Sequence, residues 1–467
     1  MTRARLGLLG SGTVGEALQD ILFRNGAAVA ARAGLELEIK KIYTRRPAEK
    51  KWYRTHPELF TARAEDVTDH AEVDIVVEVL GAQDHADVHA YKDLIVRAFE
   101  KGKDVVTSDK AVLARFGKEI WTAASQFRRE LRFEACVGGG IPILRALAES
   151  FAAEDPQGIF GIINGTCNFV LSEMKKANKS FAEAIAEAQK LGYAETNPVS
   201  DTSGLDAEAK LILLAAVTFG VQIEPDVMVR HGIEEIQAID FLYADRKGSC
   251  TIKHLATARK LNGFMAALVA PFLVPESHLI AGIDGPTNAI FFKGNRSNGQ
   301  SLDAPVSNPP GNRDWNYAFI GPGSGGGPTA VAVLGDICDL ARGRRHPLPR
   351  PGAAVASLNV QSEDKIHFHF YLRFVVRDRP GIVGEICQIL GGEGINISEV
   401  WQLSHDADEL RRLARDYDLT TDPELILPFA ITLEETSLGQ VKKALEMIGR
   451  KDFNLVAPVW IPMWPEL

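Results

Sequence analysis

The sequence predicts an α/β protein: a Rossmann-type nucleotide-binding domain, an α+β substrate and dimerisation domain, and a C-terminal ferredoxin-like domain. Three observations carry this reading. Short apolar strands alternate with amphipathic helices through residues 1–133, the pattern of a doubly wound sheet. Residues 134–314 mix strand-like runs with longer helices. Residues 364–467 follow a β-α-β-β-α-β order.

In the first part, Leu6–Gly10 reads as a strand, Thr13–Phe23 as a helix and Leu35–Tyr43 as a second strand. Val73–Leu80 is a nearly continuous apolar run, as buried parallel strands show. Asp104–Thr107 is another, with a helix from Ala111. In the middle part, Ile159–Ile163 and Ala289–Lys293 are strand-like, while Phe181–Leu191 and Leu205–Gly220 are helical. Residues 315–340 hold a glycine loop followed by a helix, a segment expected to return and complete the first domain. The basic, proline-rich run Ala341–Ala353 marks a linker over 341–363.

Composition narrows the function. The 467 residues are 46% hydrophobic and 24% charged, as in a soluble globular protein. The net charge of −9 argues against a nucleic-acid partner, which calls for a basic surface. The five cysteines are scattered and form no CxxC pair, so reduced thiols in the cytoplasm are expected. No apolar run suits a signal peptide or a membrane span.

Gly10-Ser-Gly12-Thr13-Val14-Gly15 fits GxGxxG after a strand and at the opening of a helix, the context a dinucleotide loop requires. The bland alternative is a tight turn without ligand. The second strand ends in Tyr43-Thr44-Arg45-Arg46, with no carboxylate for a ribose hydroxyl and two guanidinium groups for a 2′-phosphate. NADP is therefore expected, with NAD possible. Thr107-Ser-Asp-Lys110 stands at a strand's carboxyl end, where open α/β sheets place ligands.

The stretch Gly192–Lys210 concentrates Glu195, Asp206 and Lys210 before an apolar helix. Two carboxylates suit a substrate that carries an ammonium group. The positive end of the helix dipole and partial burial both disfavour a protonated lysine, as acid–base work requires. Two structural readings stand beside this one. Ser203-Gly-Leu-Asp206 fits a capping box, and Asp206 with Lys210 fits an i,i+4 ion pair. Glu134-Ala-Cys-Val137-Gly-Gly139-Gly-Ile141 offers one carboxylate and a flexible run of carbonyls, which suits a hard monovalent cation. A turn that permits close packing explains it equally.

GSGTVG, VVTSDKAVLA, EACVGGGIPI, GIINGTCNFVL, GYAETNPVSDTSGLDAEAK and GPGSGGGPTAVAVLGDI occur in an order and spacing that resemble homoserine dehydrogenase. Asp378-Arg-Pro-Gly381 and Gly394-Ile-Asn-Ile397 resemble an ACT domain, the arrangement of the monofunctional, ACT-bearing members. The resemblance implies NAD(P)-dependent interconversion of L-homoserine and L-aspartate 4-semialdehyde in threonine, methionine and isoleucine biosynthesis. It implies Lys210 as proton donor, Lys110 at cofactor and substrate, and Glu195 and Asp206 as homoserine ligands. It also implies cofactor contacts at Thr13, Val14, Gly192 and around Gly323, and a sodium site at Glu134 with the backbone of Val137, Gly139 and Ile141. L-threonine is the expected effector, and a homodimer or homotetramer the expected assembly. Asp109 and Asn197 depart from the family's usual asparagine and acidic residue. An inactive amino-acid sensor and a reductase of another amino-acid semialdehyde are the competing readings.

Overall fold

The computed structural model describes residues 2–82, 84–246, 248–261, 264–295, 315, 317–344, 359–360 and 363–464. Most of the segment read as a linker lies outside the described residues. The chain forms two compact units, each built from three stretches. Among the described residues no helix is long and apolar enough to cross a membrane, and all five cysteines are free thiols.

The first unit comprises Met1–Ile163, Glu208–Asp226 and Asn288–Leu358. Its centre is a six-stranded parallel sheet in the order Phe60–Thr61, Leu35–Tyr43, Thr2–Leu9, Ile75–Glu78, Asp104–Thr107, Leu131–Arg132. The order reverses between Thr2–Leu9 and Ile75–Glu78, and in such sheets ligands bind in the crevice at that switch point. Every residue of Ile75–Glu78 is buried, which explains its unbroken apolar run up to Glu78. Helix Gly326–Ala341 joins this core: Ala330, Val333 and Ile337 share a cluster with Leu6, Leu8, Leu18 and Val77. Pro156–Ile162 and Thr287–Gly294 pair antiparallel in the same unit from Ile162↔Ala289 to Pro156↔Gly294.

The second unit comprises Asn164–Ala207, Val227–Thr287 and Asn359–Leu467. A long hairpin, Cys250–Leu261 with Phe264–Pro275, runs in continuous register from Leu261↔Phe264 to Cys250↔Pro275. An antiparallel sheet is ordered Ile397–Trp401, Ile426–Ser437, His367–Arg377, Val459–Pro462. One hydrophobic cluster joins these C-terminal strands to the earlier segments, with Tyr371, Ala430 and Ile461 beside Phe169, Phe241 and Ile252. Inside that contact lies an ion pair buried from solvent. Arg373 Nη1 is 2.5 Å from Asp240 Oδ2, and Tyr371 Oη donates to Asp240 Oδ1 at 2.9 Å.

Two differences from the sequence reading have a local cause. The first helix runs past Phe23 to Ala33, because the alanine-rich stretch after Gly26 propagates it until Gly34 closes it at φ +68°. The charged loop before the last long strand contains helix Ala407–Asp416, started by a capping box of Asp406 and Glu409.

His254, on the hairpin, is 3% exposed and donates from Nε2 to the His231 carbonyl at 3.1 Å. Burial pushes its pKa down to about 4. It is held neutral when folded, while an unfolded histidine takes up a proton near pH 6.5. The unfolded state therefore binds more protons as pH falls through the window between these values. Stability is expected to fall there by up to about 1.4 kcal/mol per pH unit from this group. Urea unfolding at several pH values checks this, and His254→Gln should flatten the slope; an equal slope in the variant counts against it.

Candidate active site

The dinucleotide loop belongs to the first unit, and its three glycines have separate reasons. Gly10 takes φ +116°, donates to the Tyr43 carbonyl at 3.0 Å, and would press a Cβ to 2.6 Å from the Val79 oxygen. Gly12 is exposed, and a Cβ there would meet nothing within 4 Å, so a ligand can approach the backbone. Gly15 would place a Cβ 2.5 Å from the Gly10 oxygen, so only glycine lets the helix start so close to the strand end. These are the roles a dinucleotide fingerprint assigns to its first, second and third glycines. Helix Thr13–Ala33 has no side-chain cap at Gly12, so the amides of Thr13, Val14 and Gly15 open its positive end.

The late glycine loop comes back to the same place. A Cβ on Gly326 would lie 2.9 Å from the Thr13 oxygen. Gly139 takes φ +54° and would press on the Gly323 backbone at 2.7 Å, so the two glycine loops touch through bare main chain. Arg45 and Arg46 are exposed just beyond strand Leu35–Tyr43, with Arg46 3.5 Å from Glu49. Lys110 is half-buried at the first position of helix Lys110–Gln126. The unusual Asp109 has a structural reason: it caps this helix, accepting from Ala111 and Val112 at 3.0 and 3.2 Å.

Glu134 is 6% exposed. Its carboxylate accepts the Leu144 and Arg145 amides at 2.9 and 2.8 Å, while its own amide donates to Asp336. Burial, with the charge of Asp336, pushes its pKa up to about 7. The turn that follows has Gly138 and Gly139 at φ +71° and +54°. Among the described residues no group of three or more His, Cys, Asp or Glu side chains converges as a transition-metal site needs.

The two ammonium-binding candidates belong to the second unit. Glu195 is exposed in the turn after helix Phe181–Lys190, a turn that Gly192 opens at φ +79°. Gln189 holds that turn by donating to the Glu195 and Thr196 carbonyls at 3.0 and 3.2 Å. Thr166 Oγ1 donates to the Tyr193 carbonyl at 2.8 Å. Asp206 is buried near the start of helix Leu205–Phe219.

The expected capping box around Asp206 does not form. Gly204 takes φ +83°, Ser203 closes the preceding short helix Val199–Thr202, and its hydroxyl is buried without a partner. Asp206 is instead held by Asn164, a residue that sequence reasoning gave no role. Asn164 Nδ2 donates to Asp206 Oδ2 at 2.8 Å and to Asp201 Oδ1 at 2.7 Å. Its Oδ1 caps helix Gly165–Ala177 through the Cys167 amide at 2.8 Å. The signal was present as an asparagine before a helix start. One turn after Asp206, Lys210 is 8% exposed, and its Nζ donates to the Ile163 carbonyl at 2.8 Å. The i,i+4 neighbours thus each have a partner in the consecutive residues Ile163 and Asn164.

Chemically, the first unit offers a dinucleotide cradle and two lysines, and the second offers carboxylates held by an amide. A model described as the NAD binding domain of homoserine dehydrogenase matches residues 10–134, and one described as homoserine dehydrogenase matches residues 142–338. A homoserine dehydrogenase of Pseudomonas aeruginosa is 36% identical over 409 residues, 86% of this chain and 88% of the relative. A crystal structure of a homoserine dehydrogenase from Thiobacillus denitrificans has a TM-score of 0.82 at 31% identity, covering 99% of this chain and 98% of its own. A hyperthermophilic archaeal homoserine dehydrogenase in complex with NADPH shares the fold at 24% identity and a TM-score of 0.58, over 74% of this chain and 99% of its own. With these likenesses spanning both units, the chain is an oxidoreductase with an NAD(P)-binding domain and belongs to the homoserine dehydrogenase family.

Proposed function

We propose that the chain interconverts L-homoserine and L-aspartate 4-semialdehyde with NADP as the preferred cofactor, through Lys210 as proton donor and acceptor. The observation that carries this is the pinning of Asp206 and Lys210, one helical turn apart, by Asn164 and Ile163. Glu195 and Asp206 hold the substrate's ammonium group, and Lys110 touches cofactor and substrate. A bound nicotinamide would supply hydride chemistry at the substrate's terminal carbon. Lys210 Nζ protonates the developing alkoxide in reduction, and in oxidation it takes the hydroxyl proton as the hydride departs. Lys210→Met should lower kcat by about 10²- to 10⁴-fold while NADPH binding, followed by its fluorescence, stays within about twofold. Near-normal turnover in that variant removes Lys210 from the mechanism.

The preference for NADP rests on Arg45 and Arg46, exposed where an acidic residue selects NAD. Replacing both with alanine should raise the KM for NADP⁺ by about tenfold and leave that for NAD⁺ within about twofold. Equal changes in both constants count against the assignment.

We infer two further ligands. The carbonyls of Val137, Gly139 and Ile141 with Glu134 supply only oxygen, which fits sodium. The C-terminal strands are read as an ACT domain that binds L-threonine as inhibitor. Its supports are the sheet order, Gly381 at φ +94° after the Asp378–Gly381 turn, and Asn396, whose Nδ2 donates to Glu434 at 3.0 Å. One thermal-shift series separates the two ligands: sodium against choline chloride, each with and without L-threonine, alongside turnover. Sodium should raise the melting temperature above choline, and threonine should raise it while lowering turnover. Equal curves in both salts remove the cation, and no threonine effect on either quantity removes the effector.

A further inference from the structure

We propose that Thr107 and Glu78 are positioning residues that set Lys110 through Asp109. The proposal rests on the reading of Lys110 as a cofactor and substrate contact. Thr107 and Glu78 are the last residues of neighbouring parallel strands, both wholly buried, at the carboxyl edge of the sheet.

Their hydrogen bonds close a ring. Thr107 Oγ1 donates to Glu78 Oε2 and accepts the Asp109 amide at 3.0 Å. Glu78 Oε1 accepts the Leu80 amide at 2.7 Å. Asp109 Oδ2 accepts the Ala82 amide at 2.7 Å, while Oδ1 starts the helix whose first residue is Lys110. The ring therefore binds the turn after Ile75–Glu78 to the turn after Asp104–Thr107. Val79, inside the ring, is the residue whose oxygen would meet a Cβ on Gly10, so the clamp also abuts the dinucleotide loop.

A carboxyl wholly buried at the end of a central parallel strand is costly without a use, and an apolar residue would end IVVE at no such cost. Burial and the charge of Asp109 push the Glu78 pKa well up from the usual carboxylate range. A mere staple for stability would affect melting and spare turnover. A positioning device affects turnover at constant fold, because a small displacement of a reacting group is expensive in rate.

The test compares Thr107→Val, which keeps the shape and loses the hydroxyl, with Thr107→Ser, which keeps the hydroxyl. Lys110→Met is the reference, all in the full chain with homoserine and NADP⁺. Thr107→Val is expected to lower kcat about tenfold or more with the cofactor KM within about twofold, and Thr107→Ser to restore kcat to within about threefold of the parent. Should Thr107→Val fail to fold, Glu78→Gln supplies the same reading with a loss of kcat at unchanged cofactor KM. Parental kcat in Thr107→Val or Glu78→Gln, with Lys110→Met inactive, overturns the proposal alone. Equal losses in the Val and Ser variants overturn it too. Parental kcat in Lys110→Met overturns it together with the reading of Lys110.

Discussion

The dipeptide Ile163–Asn164 is the constraint on which the candidate site turns. It follows strand Pro156–Ile162 and precedes helix Gly165–Ala177, so its backbone is fixed by regular structure on both sides. One carbonyl and one amide side chain then dictate where Lys210 and Asp206 point. Asn164 also explains how the buried Asp206 tolerates the half-buried Asp201 beside the same amide. Its two amide protons go to one carboxylate each, and its oxygen is spent on a helix cap. An aspartate at 164 would add a third negative group, and a leucine would leave both carboxylates short of a donor, which is expensive for buried charges.

How much of this was legible depended on whether the signal was local. The parallel sheet was readable because buried strands write themselves as unbroken Val and Ile runs, and the glycine loop because its context is a strand and a helix. Gly10 and Gly15 are demanded by backbone atoms of residues that flank the loop or lie on the adjacent strand's end. Asn164 was not readable as a site residue, since its partners lie 37 and 42 residues away. Ser203 misled for the complementary reason. Its spacing to Asp206 satisfies a capping box, but the left-handed Gly204 between them moves the helix start. The ring of Glu78, Thr107 and Asp109 joins two turns separated by a whole helix, and no periodicity announces it.

In the second unit the comparable constraint is the pair Arg373–Asp240. Both groups are almost wholly shielded, and each finds further partners: Tyr371 and the Gln237 amide for Asp240, the Glu235 carbonyl for Arg373. Pairs of this kind add little net stability over an apolar substitute, but breaking one side leaves a buried charge at about 3–5 kcal/mol. The pair ties strand His367–Arg377 to helix Ala238–Arg246. Two residues before Glu235, the Ile233 amide donates to the carbonyl of Thr202 at 2.8 Å, four residues before Asp206. A side-chain hydrogen bond from Arg373 to the Glu235 carbonyl and a main-chain one from Ile233 to Thr202 thus link the C-terminal strands to the neighbourhood of a substrate-binding candidate within one unit.

That pairing has a consequence for the order of events during synthesis. The core of the second unit draws on Phe169 and on Ile461, which leave the ribosome almost three hundred residues apart. Asp240 emerges long before Arg373, its partner in the buried ion pair. The growing chain therefore carries the apolar residues of this core well before the strand that supplies that partner. Domains commonly fold as they emerge. Here the half of the unit made first waits for the strands that follow from His367 onward, and their arrival completes the shared core.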